Sequence, residues 1–341
     1  MKTYLITGGA GFIGCNYAER LLRRGERVIV YDNLSRAGTR HHLNWLRSTV
    51  AQGQLECMIA DVSDFEQLCT QAARADVIVH LAAQVAVTQS VCDPRQDFNV
   101  NALGTLNVLE AARRTSHGPV VIYASTNKVY GSLENIATQE SDTRYLQSTH
   151  AQGINESQQL DFYSPYGCSK GAGDQYVRDY QRIYGLPTVV FRQSCIYGPH
   201  QLGAEAQGWV AWFMLAGLSG APVTIYGDGK QVRDILHVDD LLNAYDLAVA
   251  DIERIKGEVF NIGGGVSRSL SIWSEYRPIL EELCAPLPAV RFKEWRHGDQ
   301  KVYISDTRKL CSALDWQPTI DLRDGLRTLL QSLKTQGKTQ V

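Results

Sequence analysis

The sequence predicts an α/β protein: a doubly wound parallel sheet with a smaller, interleaved C-terminal domain. Three observations predict it. Short Val-, Ile- and Leu-rich runs alternate with helical stretches, a glycine-rich turn joins the first run to the first helix, and the alternation breaks down beyond Pro199. Apolar runs without polar alternation suit strands covered on both faces. Their alternation with helices implies parallel pairing through right-handed crossovers.

Each element follows in order. Residues 4–7 form a strand, 8–14 a turn and 16–24 a helix, and Arg27–Tyr31 is a second strand that ends at Asp32. Residues 55–59 lead to Asp61, 77–81 follow, and 120–124 run into Ser125. Residues 188–192 and Val259–Ile262 complete the strands, with helices over 105–114 and 171–184. Segments 203–212 and 286–298 read as loops and short elements of the smaller domain, and 334–341 as a frayed polar tail. Residues 132–164 are long for a loop in a compact domain and point to a functional insertion. The expected division is a dinucleotide-binding domain over 1–197 with return segments at about 228–265, and a substrate-binding domain over 198–227 and 266–341.

Composition narrows the function classes. With 341 residues, 44% of them hydrophobic, the chain can bury a large core, and a net charge of −2 offers no general attraction to nucleic acid or anionic membrane. No apolar run approaches the roughly 20 residues that span a bilayer. The N-terminus enters a strand directly, without the apolar stretch and cleavage site of a leader. None of the eight cysteines forms a C-x-x-C pair, so no metal site is indicated, and reduced cysteines in the cytoplasm are the simplest reading.

Gly8, Gly11 and Gly14 form G-x-x-G-x-x-G between strand and helix. Glycines permit the tight turn and close approach to a pyrophosphate, which then meets the free N–H groups of the helix N-terminus. Asp32 can accept bonds from an adenosine ribose and would repel a 2′-phosphate, which favours NAD over NADP; Arg36, four residues on, weakens that preference. Asp61 is placed to contact the adenine or to cap the following helix.

Tyr166 and Lys170 stand four apart, so on a helix they share one face. A lysine so placed can lower the phenol's pKa and hold a cofactor ribose, and the phenolate can take a proton from an alcohol as hydride leaves. Ser125 and Thr126, at a strand end, offer a hydroxyl to the same substrate oxygen. Thr126, Tyr166 and Lys170 are the candidate catalytic set.

The motifs at 8–14, STNKVYG at 125–131, YGCSK at 166–170 and VRDILHVD at 232–239 resemble the extended short-chain dehydrogenase/reductases, the nucleotide-sugar epimerases and dehydratases. The resemblance covers nearly the whole chain. Within that family, STNKVYG, GINESQQLDFYSPYGCSKGAGDQY, QGWVAWF and GKQVRDILH are most similar to the branch that inverts carbon 2 of a CDP-sugar. The resemblance implies a Rossmann domain with bound NAD, a nucleotide-diphosphate sugar as substrate, and a homodimer or homotetramer. It also implies a cytoplasmic enzyme that supplies sugars for lipopolysaccharide O-antigen. Cofactor contacts are expected from Phe12 and Ile13 in the turn, from Asn33, Ser35 and Arg36 after Asp32, and from Val62 beside Asp61. Leu81, Ala82, Ala83, Asn101 and Ser125 complete that set, although Asn101 reads equally well as a support for the sheet or an ordered water. Substrate contacts are expected from Gln84, Thr126, Asn127, Gln193, Trp209, Gln231, Arg233, Arg296 and Asp299. Arginine forks suit phosphate oxygens. The alternatives are an Arg233–Asp234 ion pair, a solvated Arg296, Trp209 and Trp212 as packing residues, and a structural His237.

The residues after Thr126 bear on the reaction. Dehydration needs an acid/base pair at other ring carbons, and here Asn127 and Lys128 follow instead. Oxidation and return of hydride need only one tyrosine and the cofactor. The expected reaction is therefore NAD-dependent epimerisation through a transient keto sugar. A UDP-hexose 4-epimerase, a dehydratase or a reductase is the alternative on this fold. The intact Thr126, Tyr166 and Lys170 argue against a silent NAD-binding regulator.

Overall fold

The structure is a computed structural model describing residues 1–49, 54–284, 289–296 and 298–339. Strands β1 (Thr3–Thr7), β2 (Arg27–Tyr31), β3 (Leu55–Met58), β4 (Val77–His80), β5 (Val120–Thr126), β6 (Thr188–Gln193) and β7 (Val259–Ile262) form one sheet, ordered β7-β6-β5-β4-β1-β2-β3. Parallel pairing joins β1 to β2 and β4, β2 to β3, and β4 to β5. Chain order reverses on the two sides of β1, and open parallel sheets bind ligands beyond the carboxyl ends of strands at such a point. Leu5, Ile29, Ile78, Val121 and Tyr123 from the strands pack with Leu68, Val108, Leu109 and Val177 from the helices. Each fully buried aliphatic side chain of this size contributes roughly 1.5–3 kcal/mol.

The chain divides into two compact units: residues 1–126, 164–192 and 242–260, and residues 127–163, 193–241 and 261–341. The sequence division places 127–163, 193–197, about 228–241 and 261–265 with the dinucleotide-binding part, whereas all of these fall in the second unit. In the structure the bonds of 127–163 run within the second unit. The Tyr130 hydroxyl donates to Asn261 Oδ1 at 2.7 Å, and the Ile154 N–H donates to the Ile304 carbonyl at 2.7 Å. The centre of the second unit is Val232–His237, which pairs in parallel with Cys195–Tyr197 and Val302–Tyr303 and antiparallel with Ser269–Ser271. Its core gathers Tyr197, Val210, Phe213, Met214, Trp273, Tyr276 and Leu326.

Three local expectations change. The loop over 203–212 gives way to a helix, Trp209–Ser219, bounded by Gly208 and Gly220 in left-handed conformation (φ 74° and 69°). That helix is apolar on most faces, so it lacks the periodicity that announces a surface helix. Within 286–298, Val290–Lys293 is a strand paired with Val223–Tyr226, while 286–288 and 297 lie outside the described residues. The tail is helical over Leu322–Thr339, and 340–341 lie outside the described residues. The insertion carries a short hairpin, Thr138–Glu140 with Tyr145–Gln147.

Candidate active site

The glycine turn has the shape that its sequence predicts. Gly8 lies at φ 69°, and a Cβ there would stand 2.7 Å from the Ala82 nitrogen. Gly14 faces the Gly8 carbonyl, and a Cβ on it would lie 2.6 Å from Gly9 Cα, so any side chain would force the helix off the turn. Helix Phe12–Arg23 starts at Gly11 with no side-chain cap on its first N–H groups. Asp32 closes β2 half-buried; its carboxylate accepts from the Ala10 N–H (3.0 Å) and the Leu34 N–H (2.8 Å). Burial raises its pKa, opposed by those two bonds and by Arg36. Asn33 donates to Asp61 Oδ2 at 2.6 Å, and its own carbonyl accepts from the Ser35 N–H. Asp61 Oδ1 accepts from the Ser63 N–H at 2.9 Å, so this carboxylate does cap the chain that follows it. Val62 is buried under Gly104. Leu81 and Ala82 hang from Thr7, the first through the Thr7 carbonyl and the second through its hydroxyl. A glycine cradle closed by backbone on one side and an acid-ended strand on the other fit a dinucleotide without a 2′-phosphate.

Tyr166 and Lys170 both lie on helix Ser164–Tyr184, which begins seven residues before the expected start, and both are buried. The Thr126 hydroxyl, at the end of β5, hydrogen-bonds the Tyr166 phenol. Ser125 turns away and donates to Asp174 at 2.8 Å. The expected lowering of Tyr166 by Lys170 is not what the side chains produce. Burial pushes the phenol up to about 12, Asp97 adds to that, and the Thr126 bond and Arg36 oppose it. The Lys170 ammonium lies 4.2 Å from the centre of the Tyr123 ring. Burial brings Lys170 down to about 7 against the pull of Asp174 and Asp97.

Sequence reasoning named Asn101 and Gln84 but missed His80, Asp97 and Ser169, which bond around this pair. His80 ends β4 almost wholly buried, bonded to Thr7 Oγ1 (2.6 Å) and Thr105 Oγ1 (3.0 Å). Burial, aided by the Lys170 charge, brings it down to about 3, so it is neutral at ordinary pH. Asn101 sits on a wide helical turn, Asn99–Leu103; it accepts from the Gln84 N–H and donates to the Gln84 carbonyl, Asp97 and Ser169. The Gln84 amide is held by Ala86 and Asp97. A histidine closing an apolar strand was the one legible signal here; nothing in the sequence pairs residue 97 with 169.

In the second unit, Arg233 donates to Asp299 Oδ1 at 2.6 Å and to the Val232 carbonyl. The alternative partner, Asp234, is bonded instead to Ser194 and the Gly265 N–H. Asp299 also pairs with Lys128 at 3.5 Å. Burial and Arg233 lower the Lys128 ammonium while Asp299 raises it. The Arg296 guanidinium stacks 3.9 Å from the centre of the Tyr226 ring and donates to the Glu205 carbonyl. Gln231 is fully buried and donates to the Tyr226 carbonyl at 2.5 Å; Asn127 and Gln193 are also buried. Trp209 donates to Cys195 Sγ and packs edge-on to Tyr276 at 5.2 Å, the arrangement of a core residue. His237 is structural, bonded to Thr328 and to the Asp239 N–H.

A glycine turn, an acid at the end of the second strand and a buried Thr–Tyr–Lys set are the residue types that hydride chemistry of the short-chain dehydrogenase type calls for. The sequence profile of the NAD dependent epimerase/dehydratase family matches residues 4–263, and the chain belongs to that family. It is 44% identical over 333 residues to a CDP-paratose 2-epimerase of Salmonella typhi, covering 95% of this chain and 97% of that one. It is 32% identical to a UDP-glucose 4-epimerase of Mycolicibacterium smegmatis over 99% of this chain and 100% of the other. Among solved structures, a Thermus thermophilus UDP-glucose 4-epimerase in complex with NAD superposes with a TM-score of 0.80 at 32% identity, over 97% of this chain and 99% of that one. The protein is thus an NAD-dependent enzyme of the epimerase type.

Proposed function

We propose that this enzyme inverts carbon 2 of a CDP-linked sugar, converting CDP-paratose to CDP-tyvelose through a transient 2-keto sugar. The observation that carries the choice of branch is the 44% identity, over nearly the full length of both chains, to a CDP-paratose 2-epimerase. Asn127 and Lys128 after Thr126 support it, since no acid pair for dehydration stands there.

NAD supplies the acceptor and donor of the ring hydride. The chain's own residues do the proton work. Thr126 shares the hydroxyl of the reacting carbon with Tyr166, and Tyr166 takes its proton as the carbonyl forms. Once the keto sugar has turned over in the pocket, Tyr166 gives the proton back to the oxygen of the reacting carbon. Lys170 holds the ribose of the cofactor, and the Thr126 hydroxyl and Arg36 are the groups that favour the Tyr166 phenolate. Gly8, Gly11, Phe12, Ile13 and Gly14 hold the pyrophosphate, with Asp32, Asn33, Ser35, Arg36, Asp61 and Val62 along the adenosine. Leu81, Ala82 and Ala83 line the rest of the cofactor, with Ser125 through its backbone alone and Asn101 behind them as a support. For the substrate, Arg233 and Arg296 suit the diphosphate and nucleotide, with Gln84, Asn127, Gln193, Gln231 and Asp299 as further contacts. Trp209, packed as it is, contributes shape at most.

A homodimer or homotetramer is part of this reading. Val91, Phe98, Tyr176, Ile183 and Tyr184, on helices of the first unit that pack together, expose large apolar surfaces of the kind oligomers cover. None of the eight cysteines is in a disulfide, in keeping with a cytoplasmic enzyme feeding O-antigen synthesis. Among the described residues, no helix is long and apolar enough to cross a membrane. The test is turnover of a panel of CDP- and UDP-sugars with NMR identifying the inverted carbon. Inversion of CDP-paratose at carbon 2 is expected; faster inversion of a UDP-hexose at carbon 4 would replace this reading with the 4-epimerase one.

A further inference from the structure

Two buried carboxylates act on Lys170, and they differ in what else they hold. Asp174, one turn further along the same helix, is paired on both oxygens with Arg192 at 2.9 Å and accepts from Ser125. Its charge is already balanced. Asp97, on the short helix Pro94–Phe98, has no exposed surface, and the three donors on it are neutral: Ser169 Oγ (2.5 Å) on one oxygen, Gln84 Nε2 (2.9 Å) and Asn101 Nδ2 (3.1 Å) on the other. Neutral donors satisfy the oxygens but leave the charge, and an uncompensated buried carboxylate is costly. The cation acting on Asp97 is Lys170. Ser169 precedes Lys170 in the chain and also donates to the Tyr166 carbonyl, so Asp97 grips the turn that carries both side chains.

We infer that Asp97 is a positioning residue for the reaction: through Ser169 it fixes the turn presenting Tyr166 and Lys170, and with Asp174 it supplies the negative charge that helps keep the buried Lys170 an ammonium. This rests on the roles proposed above for that pair. The groups acting on Lys170 or facing it are Asp97, Asp174, His80 on β4 and Tyr123 on β5, and Tyr166 lies one turn away on the same helix. Arg36 acts on Tyr166, Arg192 on Asp174, and His80 is neutral. Of the carboxylates, Asp97 can be neutralised without opening an arginine pair. In Asp97→Asn the amide oxygen still accepts from Gln84 and Asn101, and its NH₂ donates to Ser169, so the shape survives.

The test compares wild type, Asp97→Asn and Ser169→Ala, each loaded with NAD. Lys170 is titrated by NMR of ¹⁵N-labelled lysine, with Lys170→Arg for assignment, and epimerisation of CDP-paratose is followed from about pH 5.5 to about pH 9.5. In Asp97→Asn the Lys170 midpoint should fall by at least about one pH unit and the alkaline limb of kcat should move with it. That is about a tenfold loss on the limb, recovering towards acid pH. Ser169→Ala keeps the charge and should leave both midpoints in place. An unchanged Lys170 midpoint in Asp97→Asn, or a loss of the same size at every pH, would overturn the inference. If wild type does not turn over CDP-paratose, the proposed substrate fails, while the NMR midpoint still decides the role of Asp97.

Discussion

His80→Gln isolates the acid sensitivity that one buried imidazole gives this fold. The ring is 1% exposed, both nitrogens meet threonine hydroxyls, and its pKa falls from 6.5 to about 3. A histidine depressed in the folded state binds its proton only on unfolding. Stability therefore rises with pH wherever the unfolded chain holds the extra proton, here from about 3 up to 6.5. Integrated from about pH 8 down to about pH 5, the linkage removes about 2 kcal/mol, and the full shift, about 5 kcal/mol, is reached only well below about pH 3. The first figure barely depends on how far below 5 the folded value lies. Urea unfolding of wild type and His80→Gln at about pH 8, 6.5 and 5 reads it directly. His42, lowered mainly by burial, acts with the same sign in both proteins and cancels in the difference. The variant should lose about 2 kcal/mol less than wild type between the two ends of that range. Equal losses in the two proteins would show that His80 is already protonated in the folded state, and the neutral Thr7–His80–Thr105 chain that supports Ala82 would be refuted.

Other outcomes follow from the same structure. Tyr166→Phe keeps the buried ring and removes the proton acceptor; kcat should drop about 10²- to 10⁴-fold with the fold intact, and wild-type turnover would exclude its role as base. Purified protein should release NAD⁺ or NADH on acid extraction, and NADP without NAD would contradict the reading of Asp32. Gly14→Ala places a methyl group against the Gly8 carbonyl and should cost about 1–3 kcal/mol by denaturant unfolding, with loss of bound NAD; unchanged stability would show that the turn yields. Arg233→Ala should weaken CDP and UDP alike by about 1.5–3 kcal/mol in calorimetric titration, with NAD content unchanged. Unaltered affinity would make Arg233 only the structural partner of Asp299.

The sequence by itself determined the parts of this protein that obey local rules. The alternation of strands and helices, and with it a parallel sheet, follows from apolar runs separated by helical stretches, the cofactor turn from glycines at fixed spacing, and the Tyr166–Lys170 pair from the helical repeat. Each signal is carried by residues a few positions apart in the chain, so local backbone geometry makes it legible. The tertiary structure decided the electrostatics. Whether Lys170 lowers Tyr166 depends on where its ammonium settles, and it settles over Tyr123 beside Asp97 and Asp174, which lie on other elements or another turn. Asp97 meets Ser169 across 72 positions, and Arg233 meets Asp299 across 66, so no spacing rule points to either. The helix at Trp209–Ser219 escaped for a related reason: a helix buried on most faces shows no alternation, and only its packing on Tyr276 and Phe213 gives Trp209 its place. Periodicity records which face meets water, and burial on every side erases that record.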